Sequence, residues 1–341
     1  MRIAFAGAGY IIDIHAQAAR TQKNVELSAV VEKFSDKAAA LAKKFQIKNQ
    51  YETVEQLLKS GNADALVIGT PNFLHASQAV AALKAGVHVL VEKPMAMNAR
   101  ESEKMMDASA KSGATLMVAH CWRFDEDVNW LKKQTPKLGK IIRTKGYGVH
   151  SHWGPAGWFT QKKLAGGGAL ADMGIHALDT ACYLLGDPRP ISVYARIGTH
   201  YGKYDVDDTG VILVEWENGA TSYIESGWWQ PHMDGPEAAT QLYGTKGFGQ
   251  LFPTRLEIGK KKARAELSRS EERIDVIESG FEFPRQEHCP QSMYDVQMAH
   301  FIECIRKKKM PVPGGMEGWM NMKVVDAAYQ SSKTGKAINI K

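Results

Sequence analysis

A chain of 341 residues, 44% hydrophobic and 23% charged, is long enough for two domains or one large one with insertions, and too ordinary in composition for a disordered or fibrous protein. No apolar run approaches the ~18 residues of a membrane span, and strand-like residues begin at Ile3 with no secretory leader before them, so a cytoplasmic protein without membrane partners is expected. The net charge of +6 comes with short basic clusters, Lys260-Lys261-Lys262 with Arg264 and Arg306 to Lys309; lacking a basic stripe interleaved with aromatics, they read as solvated faces rather than a nucleic-acid surface, and their mild field would help draw a small anionic ligand.

The first 120 residues repeat one pattern. Apolar, β-branched runs at Ile3–Ala6, Glu26–Val31, Ala63–Gly69, Val87–Glu92 and Ala114–Ala119 alternate with helical stretches such as Asp36–Phe45, Ala76–Ala85 and Ala99–Ala110. Gly86 and Gly113 stand where helix C-caps belong. Such alternation predicts an α/β domain with a parallel sheet covered on both faces. After about residue 122 the pattern changes. One helix is predicted from Ala169 to Leu185, stopped by Gly186-Asp187-Pro188. Strands follow at Ile191–Ile197, Val211–Trp216, Ala220–Ser226, Gln241–Tyr243 and Arg255–Ile258, with Asn218-Gly219 as a hairpin signal. These read as an antiparallel sheet with one covering helix. Gln291–Lys307 and Glu317–Ser332 are helical again. Cys121, Cys182, Cys289 and Cys304 lie far apart with no C-x-x-C pair, which argues for free thiols rather than a disulfide framework or a zinc cage.

Ligands of open parallel sheets bind outside the carboxyl ends of the strands. The first strand ends in Gly7-Ala8-Gly9-Tyr10-Ile11-Ile12, whose first two glycines suit a tight turn and close approach to a pyrophosphate at a helix N-terminus. The third position normally holds a small residue; Ile12 must push the helix outward or be absorbed by a small neighbour. The second strand leads into Glu32, spaced from Gly9 as a ribose-binding acid would be, which favours NAD over NADP, and Lys33 follows. The third run ends in Thr70-Pro71-Asn72-Phe73-Leu74-His75; the Asn72 amide serves a ligand or caps the next helix. The fourth ends in Glu92-Lys93-Pro94, where Pro94 holds Lys93 extended and aims one ammonium at the mouth of the sheet. The fifth ends in His120, with Trp122 and Arg123 beyond.

In the second half, Gly166 to Asp179 reads GGGALADMGIHALD. Asp172 and His176 lie one helical turn apart on a polar stripe, opposite an apolar seam of Leu170, Ala177, Leu178, Ala181 and Leu185. A metal pair would need further ligands, and no H-E-x-x-H or second acidic cluster stands out, so no metal is expected. Tyr147, His150, His152 and Trp153 before the glycine run, and Trp228, Trp229 and His232 after a predicted strand, offer aromatic faces and hydrogen-bonding groups suited to a sugar ring, or else core packing.

GAGYIIDIH at 7–15, TPNFLH at 70–75, EKP at 92–94 and GGGALADMGIHALD at 166–179 together resemble the Gfo/Idh/MocA oxidoreductases, over essentially the whole chain. The resemblance implies a doubly wound Rossmann domain over 1–122 and a substrate-binding and oligomerisation α/β domain over 123–341 with a large open, mostly antiparallel sheet. It implies a C-terminal helix (about 317–334) packing back toward the Rossmann domain, and a homodimer or homotetramer formed through the sheet. It implies NAD contacts from Gly7, Gly9, Tyr10, Ile11, Ile12, Glu32, Lys33, Thr70, Pro71, Asn72, His75, Glu92, Lys93 and Arg123, and a cis Lys93–Pro94 peptide. Lys93, Asp172 and His176 become the catalytic set, with substrate contacts from His120, Tyr147, His152, Trp153, Asp172, His176 and Trp228. Two departures are Ile12 and Trp158-Phe159, the latter where a tryptophan–arginine pair is common. The expected chemistry is oxidation of a sugar, sugar-derivative or inositol hydroxyl to a ketone, or the reverse. His176 accepts the hydroxyl proton, Lys93 hydrogen-bonds the same oxygen, and Asp172 orients substrate or holds the imidazole. An NAD-dependent glycoside-cleaving enzyme working by transient oxidation and elimination is the alternative; a dinucleotide-sensing binding protein is a third reading.

Overall fold

The computed structural model describes residues 1–150, 154–230, 238–259, 274–280 and 290–340. Lys260-Lys261-Lys262, Arg264, Cys289, His152, Trp153 and His232 lie outside the described residues. The chain divides into two compact units: Met1–Phe124 with Ala156–Gly168 and Cys289–Lys323, and Asp125–Pro155 with Ala169–His288 and Val324–Lys341.

The first unit opens with β1 (Arg2–Ala6), α1 (Tyr10–Arg20), β2 (Glu26–Val31), α2 (Ser35–Phe45), β3 (Asn49–Tyr51), α3 (Val54–Ser60), β4 (Ala65–Ile68), α4 (Asn72–Lys84), β5 (His88–Glu92), α5 (Ala99–Ser112) and β6 (Leu116–Ala119). Six parallel strands run in the order β3-β2-β1-β4-β5-β6, the doubly wound arrangement with its reversal between β1 and β4. The apolar runs are strands because helices cover both faces: Ile3–Ala6, Ala65–Ile68 and Val89–Val91 have no exposed surface. The helix ends follow local chemistry. Thr53 and Asn98 accept backbone N–H groups from Gln56 and Glu101, and Gly61 and Gly113 close α3 and α5 in the left-handed conformation. Helix α4 begins at Asn72 rather than Ala76, because Pro71 serves as its N-cap. Strand β3 was not expected from the sequence; Asn49-Gln50-Tyr51 carries no apolar run.

Beyond β6 the chain passes between units. A 3₁₀ turn, Cys121–Phe124, closes the first stretch; α6 (Glu126–Gln134) and β7 (Ile141–Val149) belong to the second unit, α7 (Lys162–Ala165) to the first, and α8 (Ile175–Leu185) to the second. Then come β8 (Pro190–Gly198), β9 (Thr209–Trp216), β10 (Thr221–Gly227), β11 (Ala239–Gly244), β12 (Gly247–Gln250), β13 (Arg255–Gly259) and β14 (Ile274–Glu278), all in the second unit. Helix α9 (Gln291–Lys307) returns to the first; α10 (Gly315–Thr334) contributes to both, and β15 (Ile338–Asn339) ends in the second.

The second unit's nine strands form one sheet in the order β14-β13-β12-β11-β7-β10-β9-β8-β15. Every pairing is antiparallel except β7 with β10. Asn218-Gly219 makes the β9–β10 hairpin, with Gly219 at φ +81°. Helix α8 lies on the sheet, where Gly146 and Gly174 allow close approach to Ala177 and Ser226. Cys121, Cys182 and Cys304 are buried free thiols. Among the described residues, no helix is long and apolar enough to cross a membrane, and no group of three or more His, Cys, Asp or Glu side chains could hold a metal ion.

Candidate active site

Gly7 closes β1 at φ +100°, and a Cβ there would stand 2.9 Å from the Gly69 carbonyl oxygen, so the turn requires glycine. A Cβ on Gly9 would meet nothing within 4 Å, and Gly9 caps α1 with no side-chain hydrogen bond. The Ile12 and Asp13 N–H groups donate to the Gly9 carbonyl, and the open space beside Gly9 lets a pyrophosphate approach the N-terminus of α1. Ile12 is absorbed rather than accommodated by displacement: Gly69, just after β4, leaves the space its Cδ1 fills. Tyr10 is largely exposed, Ile11 half-buried, and Lys33 exposed. Glu32, directly after β2, is half-buried and accepts the Phe34 N–H at 3.0 Å, which holds its carboxylate at the rim. These residues fit a dinucleotide: glycine where the backbone must approach, a helix N-terminus for phosphate, and a carboxylate for ribose hydroxyls.

The residues after β4 and β5 are braced against each other. Thr70 donates its hydroxyl to Gln78, and Pro71 starts α4. The Asn72 amide donates to the Ala165 carbonyl at 2.8 Å, so it ties the 156–168 stretch to the first unit rather than capping α4. Two expected cofactor residues turn inward instead. His75 is buried with Nδ1 2.9 Å from the Pro94 carbonyl oxygen and Nε2 2.8 Å from that of Thr70, so neither nitrogen is left for NAD. Burial pulls its pKa down, against the pull of the two carbonyls. Glu92 is buried, with Oε1 2.7 Å from His15 Nε2 and Oε2 accepting the Lys93 N–H at 3.1 Å. Lys93 is half-buried, and the Lys93–Pro94 peptide is cis as the resemblance implied. At the end of β6, His120 is buried and accepts at Nε2 from the Asn321 amide of α10, 3.2 Å away. Arg123 is buried in the 3₁₀ turn. His15 and Asn321 were not singled out in the sequence, because their partners lie 77 and 201 positions away.

In the second unit, the predicted helix from Ala169 begins as a π turn, Leu170–Gly174, in which the Ile175 N–H reaches the Leu170 carbonyl. Asp207 anchors its start: its backbone carbonyl accepts the Ala169 N–H, one carboxylate oxygen accepts the Leu170 N–H at 2.8 Å, and the other accepts the Tyr329 hydroxyl at 2.7 Å. Asp172 sits half-buried in the π turn and His176 buried in the first turn of α8. Trp228 is wholly buried among Ala169, Met173 and Val206, and its indole N–H donates to Asp172 Oδ2 at 3.1 Å. Its ring has no open face for a sugar, so the expected substrate contact is replaced by a hold on Asp172. Tyr204 meets Trp228 edge-on and donates to Asp208 at 3.0 Å; burial, then that carboxylate, push its phenol above the usual range. Tyr147 is also displaced from its expected role. Along β7 side chains alternate, and Gly146 and Gly148 face α8 and the π turn. Tyr147 therefore stands on the opposite face, with the Lys145 ammonium 4.7 Å from its ring. Trp158 and Phe159 stack at 3.8 Å in the first unit.

A glycine turn, an acidic rim residue and a half-buried lysine before a cis proline at the strand ends of a doubly wound sheet, joined in one chain to a sheet unit bearing Asp172 and His176, define a nucleotide-dependent oxidoreductase. Two family models match: the Gfo/Idh/MocA oxidoreductase family, NAD-binding Rossmann fold, over residues 1–120, and the Gfo/Idh/MocA C-terminal domain over residues 134–248. Between them they cover more than half of the chain, which belongs to the Gfo/Idh/MocA family. The chain is 29% identical to a D-glucoside 3-dehydrogenase of Escherichia coli (strain K12), covering 100% of this chain and 97% of the relative. It is 26% identical to a scyllo-inositol 2-dehydrogenase (NAD(+)) of Bacillus subtilis (strain 168), covering 100% and 96%. Among solved structures, a levoglucosan dehydrogenase in complex with NADH and levoglucosan matches with a TM-score of 0.85 at 22% identity, over 100% of this chain and 99% of the other, which shows the shared fold.

Proposed function

We propose that this protein is an NAD-dependent dehydrogenase that oxidises a hydroxyl of a sugar, sugar derivative or inositol to a ketone, or runs the reverse. The observation that carries this reading is the rim of the parallel sheet: Gly7 and Gly9 after β1, Glu32 after β2 and Lys93 after β5 stand at carboxyl ends of strands of one sheet, where a dinucleotide binds. Bound NAD supplies the hydride acceptor. His176 takes the hydroxyl proton, Lys93 donates a hydrogen bond to the same oxygen and stabilises alkoxide character, and Asp172 orients a second hydroxyl. The curated relatives described above are dehydrogenases, which favours net redox chemistry over redox-assisted glycoside cleavage. The free buried cysteines suit a reducing cytoplasm. The outer sheet face, with Arg143 over Tyr243, Lys145 over Tyr147 and Tyr223, and Leu213 and Val276 exposed, is proposed to join copies into a homodimer or homotetramer.

A panel of sugars, methyl glycosides and inositols, assayed with NAD and NADP by nicotinamide absorbance, tests the reading. Accumulation of NADH with at least one member supports it; products of glycoside cleavage without net NADH would favour the alternative. Glu32→Ala should narrow the preference for NAD over NADP, because the carboxylate repels a 2′-phosphate; unchanged selectivity removes Glu32 from the ribose site. Lys93→Met should abolish most turnover and leave NAD affinity near wild type.

A further inference from the structure

We propose that His15 is a positioning residue for the dehydrogenase reaction: by holding Glu92, it fixes the main chain that presents Lys93. The inference rests on the role given to Lys93 above. His15 lies on α1, the helix whose first turn faces the phosphate site, and Glu92 is the last residue of β5. The imidazole has no exposed surface, and its Nε2–H donates to Glu92 Oε1 at 2.7 Å. The other carboxylate oxygen accepts the N–H of Lys93 itself at 3.1 Å. One carboxylate is thus shared between the phosphate-binding helix and the residue that carries the ammonium. Tyr294 of α9 packs edge-on against the imidazole, with centroids 5.6 Å apart and planes at 87°. On the far side of Lys93, the Pro94 carbonyl faces His75 at 2.9 Å.

A hydrophobic pair of similar volume would join α1 to β5 without desolvating a carboxylate, since buried ionic pairs are often no more stabilising than apolar packing. The cost is met at the position next to Lys93, where orientation matters. A carboxylate buried this deeply keeps its place only while its oxygens are hydrogen-bonded. Removing His15 breaks the bond that ties Oε1 to α1 and so loosens the carboxylate's hold on the Lys93 amide. A displacement of about 1 Å at a reacting group costs up to about a hundredfold in rate.

The test compares wild type, His15→Ala, His15→Gln, Glu92→Gln and Lys93→Met as full-length proteins, with NAD and the panel member turned over fastest. His15→Ala is expected to lower kcat by roughly ten- to a hundredfold with KM for NAD and substrate near wild type. His15→Gln, whose amide can donate to the same oxygen, recovers most of the loss. Without NAD or substrate, peptides containing the Lys93 amide should exchange hydrogen faster in His15→Ala, and recover in His15→Gln, while peptides from β1 and β4 stay protected. Glu92→Gln keeps an acceptor for His15 but not one for both partners, so it should lower kcat even if His15→Ala fails to fold. Wild-type kcat in His15→Ala or in Glu92→Gln, beside an inactive Lys93→Met, overturns the proposal and leaves the role of Lys93 standing. A fully active Lys93→Met removes the lysine from the reaction, and this inference with it.

Discussion

Gly69 carries no side chain because Ile12 needs the room. A Cβ there would lie 2.8 Å from Ile12 Cδ1 and 3.0 Å from Ile11 Cγ2, and Ile12 is wholly buried. Gly69→Ala should therefore overpack this contact and destabilise the first unit by about 1–3 kcal/mol. Ile12→Val in the same chain should recover part of that, as a double-mutant cycle by urea denaturation would show; additive losses would place the strain elsewhere. Trp228 makes a second residue-scale case, because its burial leaves one function for its polar atom, the bond to Asp172. Trp228→Phe keeps most of the packing and removes the donor. It should cost about 1.5–3 kcal/mol for the lost bond to a charged group. If Asp172 orients substrate, KM for the sugar rises more than KM for NAD, and equal shifts would refute that division of labour. Neither role was legible beforehand: Gly69 read as the end of an apolar run, and Trp228 as an aromatic beside a strand, since each is explained by a partner 57 or 56 positions away.

At the scale of elements, the parallel sheet was legible and the second sheet only partly so. Strands buried on both faces read as continuous apolar runs, which is why β1, β2, β4, β5 and β6 stood out, while the three polar residues of β3 did not. Strand β7, Ile-Ile-Arg-Thr-Lys-Gly-Tyr-Gly-Val, was missed because its two glycines look like turn residues. In place they face α8 and the π turn: a Cβ on Gly148 would stand 2.1 Å from the Met173 carbonyl oxygen, whereas one on Gly146 would meet the Ile224 Cδ1 at 3.0 Å and the Ala177 Cβ and carbonyl oxygen at 3.4 Å, ordinary contact distances for the last two. The same strand thus holds an internal control. Gly148→Ala must push the π turn off the sheet and carry Asp172 with it, so activity should fall much more than in Gly146→Ala, where the single tight neighbour is the flexible end of the Ile224 side chain. Overpacking sets the stability loss at about 1–3 kcal/mol or more for Gly148. Thermal melting and turnover measured on both variants check this; equal behaviour would mean the π turn does not depend on that contact.

Over the whole molecule, Lys93, Asp172 and His176 stood out in the sequence and the family resemblance made them a catalytic set, while the bonds from Glu92 to the Lys93 amide and from Trp228 to Asp172 emerged only from the fold. Two half-buried histidines away from those bonds give the first unit a predictable response to acid. Thr115 donates its backbone N–H to His88 Nδ1 at 2.9 Å, and Val312 donates to His300 Nε2 at 3.3 Å. Each bond uses a ring lone pair that protonation would occupy. Burial lowers both pKa values from the ordinary histidine value, opposed by Asp64 near His88 and by Glu303 near His300. The unfolded chain takes up protons at these positions below about pH 6.5, while the folded chain resists. A depressed pKa in the folded state contributes stability that is complete above the unfolded value and is lost as pH falls through the folded one. Stability should accordingly begin to decline below about pH 6.5, before carboxylates titrate. Urea midpoints between pH 7.5 and 5 would show this, with hydrogen exchange placing the first loss of protection in β5, β6 and α9. His88→Asn with His300→Gln keeps an oxygen acceptor near each donor and cannot titrate in this range, so the doubly substituted protein should hold its midpoint further into acid. If its profile follows that of wild type, the acid response comes from other groups.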